Sequence, residues 1–198
     1  RRRRRPGSAN CATSSGRERD ASMMASYGSS SSIPKNARGK EDNFVKVATL
    51  KDLQKENRLH LKVGGRRVSL LRHKEEIYCL DSICYHTGGP LTLGDIEELV
   101  PGDPCIKCPW HSHPISLKTG KKYSKGVEFD SNGKVKRVKA WAPGKRVSQR
   151  CFQTKIDSEG NIFADITYPD DQKVGSDRYA TDEMAASCFS KALEQKKR

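Results

Sequence analysis

Two short mixed pairs, Cys84-Tyr-His86 and Cys108-Pro-Trp-His111, constrain this chain more than any other feature. Thiol and imidazole at such close spacing are metal donors, and two pairs far apart in sequence serve one centre only if the fold brings two loops together. Zinc is the first candidate, but structural zinc pairs usually run like with like, two Cys and then two His. Here each pair is mixed. That order suits a centre with two unlike halves, one binding both thiolates and the other both imidazoles, which is the chemistry of an iron-sulfur cluster with a Cys₂ iron and a His₂ iron.

The 198 residues are long enough for one domain with a sizeable core, although only 34% are apolar and the two ends are poor in core-forming side chains. One folded domain with tails is expected. No apolar run approaches the roughly 20 residues of a membrane helix, so no membrane span and a soluble protein are expected. Seven cysteines without an apolar signal core, four of them close to histidines or to each other, favour a metal in a reducing compartment over disulfides. The chain begins with Arg, and Met23 or Met24 is a candidate start, so residues 1–22 carry little weight.

Net charge is +14, and residues 1–42 hold ten Lys or Arg against four acids, a net of +6 that leaves +8 for the rest. With Arg1 to Arg5 and the run Ser29 to Ser32, this segment reads as a disordered basic arm; nucleic-acid binding and an organellar transit signal are the competing readings. Folding is expected over 43–170. Phe44 to Leu50, Leu59 to Val63, Gly64-Gly65 and Val68 to Leu71 read as strands with a hairpin turn, and Ile77 to Ile83 as a strand entering the first pair. Ile115 to Leu117 is a further strand. A basic, turn-rich stretch then runs to about residue 149, with a turn at Asn132-Gly133, before a closing hairpin about Glu159-Gly-Asn161. Many short strands with close turns predict a mainly β fold, a small sandwich or barrel. Over 171–198, a tail, Thr181 caps a predicted helix with the stripe Met184, Cys188, Phe189, Ala192 and Leu193, expected to pack on the sheet, with a partner-binding tail as the alternative.

Cys84-Tyr-His86-Thr-Gly-Gly-Pro90-Leu, Gly94-Asp95-Ile-Glu97, Ile106-Lys-Cys108-Pro-Trp-His111 and Leu117-Lys-Thr-Gly120 resemble the soluble, ferredoxin-like branch of the Rieske [2Fe–2S] family over roughly 43–170. Ser176-Asp-Arg-Tyr-Ala180 is similar to the closing segment of small Rieske-domain-containing proteins. The resemblance implies a β sandwich or barrel with a cluster-binding subdomain and one [2Fe–2S] cluster, Cys84 and Cys108 on one iron, His86 and His111 on the other. It also implies supporting roles for Gly88, Gly89, Pro90, Pro109 and Trp110 around the cluster. Two neutral imidazoles in place of two thiolates make the oxidised cluster less anionic and raise its potential. The glycines would let backbone N–H groups approach the cluster sulfurs, and the proline would fix the shielding loop.

The pattern departs from the respiratory branch, where each cluster loop carries an additional disulfide-forming cysteine and a hydroxyl residue donates to a bridging sulfur. Gly89, Trp110 and His113 stand at those positions here. A low potential, near about −150 mV, is expected in their absence. The long linker predicts an exposed loop over 96–104. Cys105 reads as a strand residue entering the second loop rather than as a C-x-x-C redox partner of Cys108, Cys79 and Cys188 as core, His60 and His73 as exposed. Cys151 takes no role and Cys11 lies in the arm. His113 has two readings, an influence on the site and a plain surface position, the second being preferred.

The expected function is single-electron transfer between redox partners, a reductase donor and an oxygenase-like acceptor, without independent catalysis. An accessory Rieske subunit of a reductase or oxygenase system is the alternative, and a zinc-stabilised nucleic-acid module a further one, disfavoured because few aromatics interleave the basic residues. No histidine follows His113 to build a mononuclear iron site, and no G-x-G-x-x-G loop is present for a nicotinamide or flavin. The cytoplasm is the expected compartment, or an organelle if the arm is a transit signal.

Overall fold

The alternation beginning at Phe44 becomes eleven strands in the computed structural model, which describes residues 43–168, 172–180 and 182–196. In chain order these are β1 (Phe44–Thr49), β2 (Arg58–Val63), β3 (Arg66–His73), β4 (Glu76–Asp81), β5 (Asp95–Val100), β6 (Asp103–Lys107), β7 (Pro114–Ser116), β8 (Lys121–Phe129), β9 (Val135–Val147), β10 (Cys151–Ile156) and β11 (Asn161–Asp165). A one-turn helix, α1 (Leu50–Leu53), follows β1, and a longer one, α2 (Asp182–Lys196), ends the described chain. The strands form a nearly closed, barrel-like six-stranded sheet, β1-β11-β10-β4-β3-β2, and a five-stranded sheet, β5-β6-β7-β8-β9. The mainly β expectation holds.

The β2–β3 hairpin turns on Gly64 and Gly65, whose φ values of +56° and +82° are open to glycine at no steric cost. Along β4 the run Ile77-Tyr78-Cys79-Leu80 does not alternate, because both faces of this strand are covered. Ile77 and Cys79 join a core with Val68, Leu70, Phe152, Ile162 and Ala164, whereas Tyr78 and Leu80 join a second core with Leu71, Leu91, Ile106, Ile115 and Leu117. The second core also holds Cys84 and Cys108. The candidate thiols are thus seated on the hydrophobic seam between the two sheets.

Two stretches expected to be irregular are strands. Residues 96–104, predicted as an exposed loop, form most of the β5–β6 hairpin, which turns at Gly102 with φ +77°. Local propensity disfavours strand across Glu97, Glu98, Pro101 and Pro104, but β6 is held on its other side by β7, and that pairing prevails. The basic stretch to residue 149 is the long β8–β9 hairpin, with its turn at Asn132-Gly133 as predicted. Three register irregularities along it break the alternation that would have revealed it. The hairpin carries nine Lys or Arg against two acids from Lys121 to Val147 and is exposed over most of its length.

In α2, Cys188 and Ala192 are buried and Phe189 partly so, but Met184, placed on the same stripe by the sequence, is 45% exposed. The helix packs on the sheet through Phe189, whose ring lies 4.0 Å from that of His60 in β2. His60 is accordingly half-buried rather than exposed, with Nδ1 2.8 Å from Ser82 Oγ. Thr181 and the basic arm 1–42 lie outside the described residues.

Candidate metal centre

Each Cys/His pair sits on a tight loop between strands. The first leaves β4 after Asp81 and is closed by an isolated bridge between Ile83 and Pro90; within it the Cys84 N–H donates to the Gly89 carbonyl (2.7 Å) and the Gly88 N–H to the Cys84 carbonyl (3.1 Å). The second joins β6 to β7, with the Cys108 N–H donating to the His113 carbonyl (3.0 Å) and the Ser112 N–H to the Cys108 carbonyl (2.8 Å). Ser112 takes a left-handed conformation, φ +52°, to make that turn. The loops come from different sheets, and the packing of those sheets brings them together.

The four predicted donors divide into two pairs. Cys84 and Cys108 are buried, and their sulfurs lie close enough to share a hydrogen bond. That bond favours thiolate at Cys108 and thiol at Cys84, lowering the pKa of the first and raising that of the second. Burial raises both, while backbone N–H groups of Trp110 and His111 favour thiolate at Cys108 and the His86 N–H does so at Cys84. His86 and His111 are exposed, their rings edge-on with centroids 5.0 Å apart. Among the described residues no three His, Cys, Asp or Glu side chains converge to hold a single ion. A buried thiol pair beside an exposed imidazole pair, with backbone donors already aimed at the sulfurs, fits a two-iron cluster in donor chemistry.

The residues predicted to support this site surround it, though not all as expected. A Cβ on Gly89 would lie 2.5 Å from the Cys108 sulfur and 3.3 Å from Cγ of Trp110, and one on Gly88 only 2.8 Å from the Cys188 sulfur. Steric room is what these glycines provide. Pro90 is buried, Pro109 is exposed, and Trp110 packs against the second core with its Nε1 buried and without a partner among the described residues. His113, read as a surface residue, is half-buried with its ring edge-on to His86 at 4.5 Å, and burial, then Lys122 and the neighbouring imidazoles, disfavour its protonation. Cys105 is buried in β6 and Cys79 in β4. Cys151 is half-buried near the Ser116 carbonyl.

Sequence reasoning missed several residues that hold the first loop. Gln149, fully buried in a stretch that reads as polar loop, accepts from the Tyr85 N–H (2.9 Å) and donates to the carbonyls of Asp81 (3.0 Å) and Ile83 (2.9 Å). Thr87 Oγ1 lies 3.2 Å from His111 Nδ1, bridging the two loops. Arg178 donates to the carbonyls of Tyr85 and His86, and the Tyr179 hydroxyl to that of His86 (3.4 Å). Thr87 was signalled by its place beside His86. Arg178 lies in the Ser176–Ala180 segment that the resemblance marked, but without a role; nothing local marks Gln149, whose partners are distant in the chain.

The family model described as soluble Rieske-type ferredoxin matches residues 45–170. A human Rieske domain-containing protein is 38% identical over 142 residues, 72% of this chain and 86% of that protein. The ferredoxin component of naphthalene 1,2-dioxygenase/salicylate 5-hydroxylase systems from Ralstonia is 29% identical over 79 residues, 40% of this chain and 71% of its own length. Among solved structures, the ferredoxin of carbazole 1,9a-dioxygenase from Nocardioides aromaticivorans aligns with a TM-score of 0.43 at 20% identity over 62% of this chain and 96% of that one.

Proposed function

This chain belongs to the soluble Rieske-type ferredoxin family, and from that membership we propose that it carries single electrons through one [2Fe–2S] cluster held by Cys84 and Cys108 on one iron and by His86 and His111 on the other. The observation that carries the reading is the division of the four donors into a buried thiol pair and an exposed imidazole pair. Bound there, the cluster supplies one-electron chemistry at a potential raised by imidazole ligation. The chain's own residues do the rest. Burial of Cys84 and Cys108 against the second core keeps water from the sulfurs, and Gly89 and Trp110 close over Cys108. The exposed rings of His86 and His111 offer the edge through which a partner exchanges the electron.

The β8–β9 hairpin joins the sheet that carries the second loop, with Ile115 of β7 paired to Lys122. Its excess of nine cationic over two anionic side chains suits steering of a redox partner with an acidic face. The Ralstonia relative is named as the ferredoxin component of dioxygenase and hydroxylase systems, which supports an oxygenase-like acceptor; a reductase is the donor in this reading. All six cysteines of the described residues are free thiols, which suits a reducing, cytoplasmic setting.

Metal and sulfide analysis, with EPR of the anaerobically reduced protein, tests the assignment. Iron and labile sulfide in equal amounts, with hyperfine coupling to histidine nitrogen, are expected. Stoichiometric zinc without sulfide would overturn it.

A further inference from the structure

We propose that Arg178 is a positioning residue for the loop Cys84–Pro90, so that the segment Ser176–Tyr179 sets how the backbone of His86 is held. His86 and Thr87 are exposed at the loop tip, and within the loop only the Cys84 N–H to Gly89 and Gly88 N–H to Cys84 backbone bonds constrain it. An exposed loop of this kind opens readily unless its backbone is tied from outside. Gln149 takes the Tyr85 N–H and Thr87 meets His111 of the second loop, and Arg178 supplies the tie on the carbonyl side. Its guanidinium donates to two successive carbonyls, those of Tyr85 and His86, and the Tyr179 hydroxyl adds a bond to the second.

The tie is anchored to a rigid base. Asp177 accepts from Arg66 (2.5 Å) and twice from Arg150 (2.8 and 2.6 Å), while Ser176 Oγ donates to Asp81 (2.5 Å) and accepts from the Arg150 N–H (3.0 Å). Asp81 itself takes both ends of the Arg66 fork, at 2.5 and 2.7 Å, and both side chains of that pair are only 4% exposed. Asp81 is the last residue of β4, three positions before Cys84. The buried network therefore fixes the segment to the strand end from which the loop departs. On the loop's other side Gly88, at φ +87°, meets the Cys188 sulfur of α2 and the Tyr179 ring with no room for a Cβ. Segment and helix together form a clamp with Arg178 at its point of contact.

The clamp has a redox consequence, which rests on the function proposed above. Arg178 is a cation held against the loop, its guanidinium on the carbonyls of Tyr85, which follows Cys84, and of His86, itself a proposed ligand. A cation held beside a redox centre stabilises the more negative, reduced state and raises its potential.

Amide hydrogen exchange on the full-length protein, with R178A, R178K and wild type compared at matched iron and sulfide content, tests both parts. In R178A the Cys84 and Gly88 amides are expected to exchange about tenfold faster or more, with β3 and β4 amides unchanged. The potential of R178A is expected to fall and its histidine-nitrogen hyperfine coupling to change. R178K keeps the charge on a shorter side chain that lacks the planar guanidinium and falls short of the two carbonyls, so its potential should return toward wild type while exchange stays fast. Unchanged exchange at Cys84 and Gly88 in R178A, or acceleration spread equally through β3 and β4, overturns the positioning role, and a potential in R178K as low as in R178A overturns the role of charge. If R178A does not fold, R178Q, which retains a single-carbonyl donor, is read by the same criteria. The exchange comparison stands even if the wild-type protein holds no iron, so failure of the clamp and failure of the cluster assignment are separable.

Discussion

Gly89 and Cys108 lie on loops from different sheets, yet they approach so closely that a Cβ at Gly89 would sit 2.5 Å from the Cys108 sulfur. The Trp110 ring stands 3.3 Å from the same point, so neither neighbour can give way freely. Gly89→Ala is expected to destabilise the fold by about 1–3 kcal/mol through overpacking and to reduce bound iron and sulfide. Urea denaturation and metal analysis read the two effects; a variant with wild-type stability and metal content would show that this contact does not govern the site.

The residues at Gly89, Trp110 and His113 offer neither the loop disulfide nor the hydroxyl donor of the respiratory branch. The reduction potential is therefore expected near the low end of the family range, about −150 mV rather than about +300 mV. A redox titration returning a clearly positive value would sink this. Replacing His86 or His111 by Cys should lower the potential further or lose the cluster, because a thiolate adds negative charge.

Asp177 joins Arg66 and Arg150. Burial alone would raise its pKa, but hydrogen bonds from Arg150, the Val174 N–H and Arg66 outweigh that and hold the carboxyl below the ordinary carboxylate range. As pH falls, the unfolded chain takes up this proton first, so the stabilisation is complete above the ordinary Asp value of about 3.9 and is lost progressively below it. Asp177→Asn should cost about 3 kcal/mol at neutral pH, by leaving two guanidinium groups short of a partner, and should flatten the acid limb of the stability curve. An unaltered acid limb in thermal melts across pH would contradict this.

Gln149 satisfies three backbone groups at once, on the end of β4 and at Tyr85. Gln149→Leu leaves them without partners, and since each buried unmet group costs about 1–3 kcal/mol, a loss of about 3 kcal/mol or more is expected. Denaturant titration measures the loss, and faster exchange of the Tyr85 amide should accompany it. A loss under about 1 kcal/mol would mean that water replaces these bonds.

The candidate site of this protein is legible in its sequence because a donor set is a matter of residue type and short spacing. Cys84, His86, Cys108 and His111 declare themselves as donors in mixed pairs, and Gly64-Gly65 and Asn132-Gly133 mark hairpin turns, since the φ angles those turns require are nearly a glycine property. The strands β5, β8 and β9 were less legible, as acids, prolines and bulges conceal their alternation and long-range pairing decides them.

What the tertiary structure alone decides is how the first loop is held. Arg178 reaches carbonyls more than ninety positions away, Gln149 spans more than sixty, and His113 turns edge-on to His86 rather than to solvent. Hydrogen bonds to backbone carbonyls leave no trace in the identity of the residue that accepts them, so even the Ser176–Ala180 segment, which the resemblance marked, does not announce what Arg178 reaches. The sequence determined which donors a metal could find, and the packing of two sheets and a closing segment determined how they are presented.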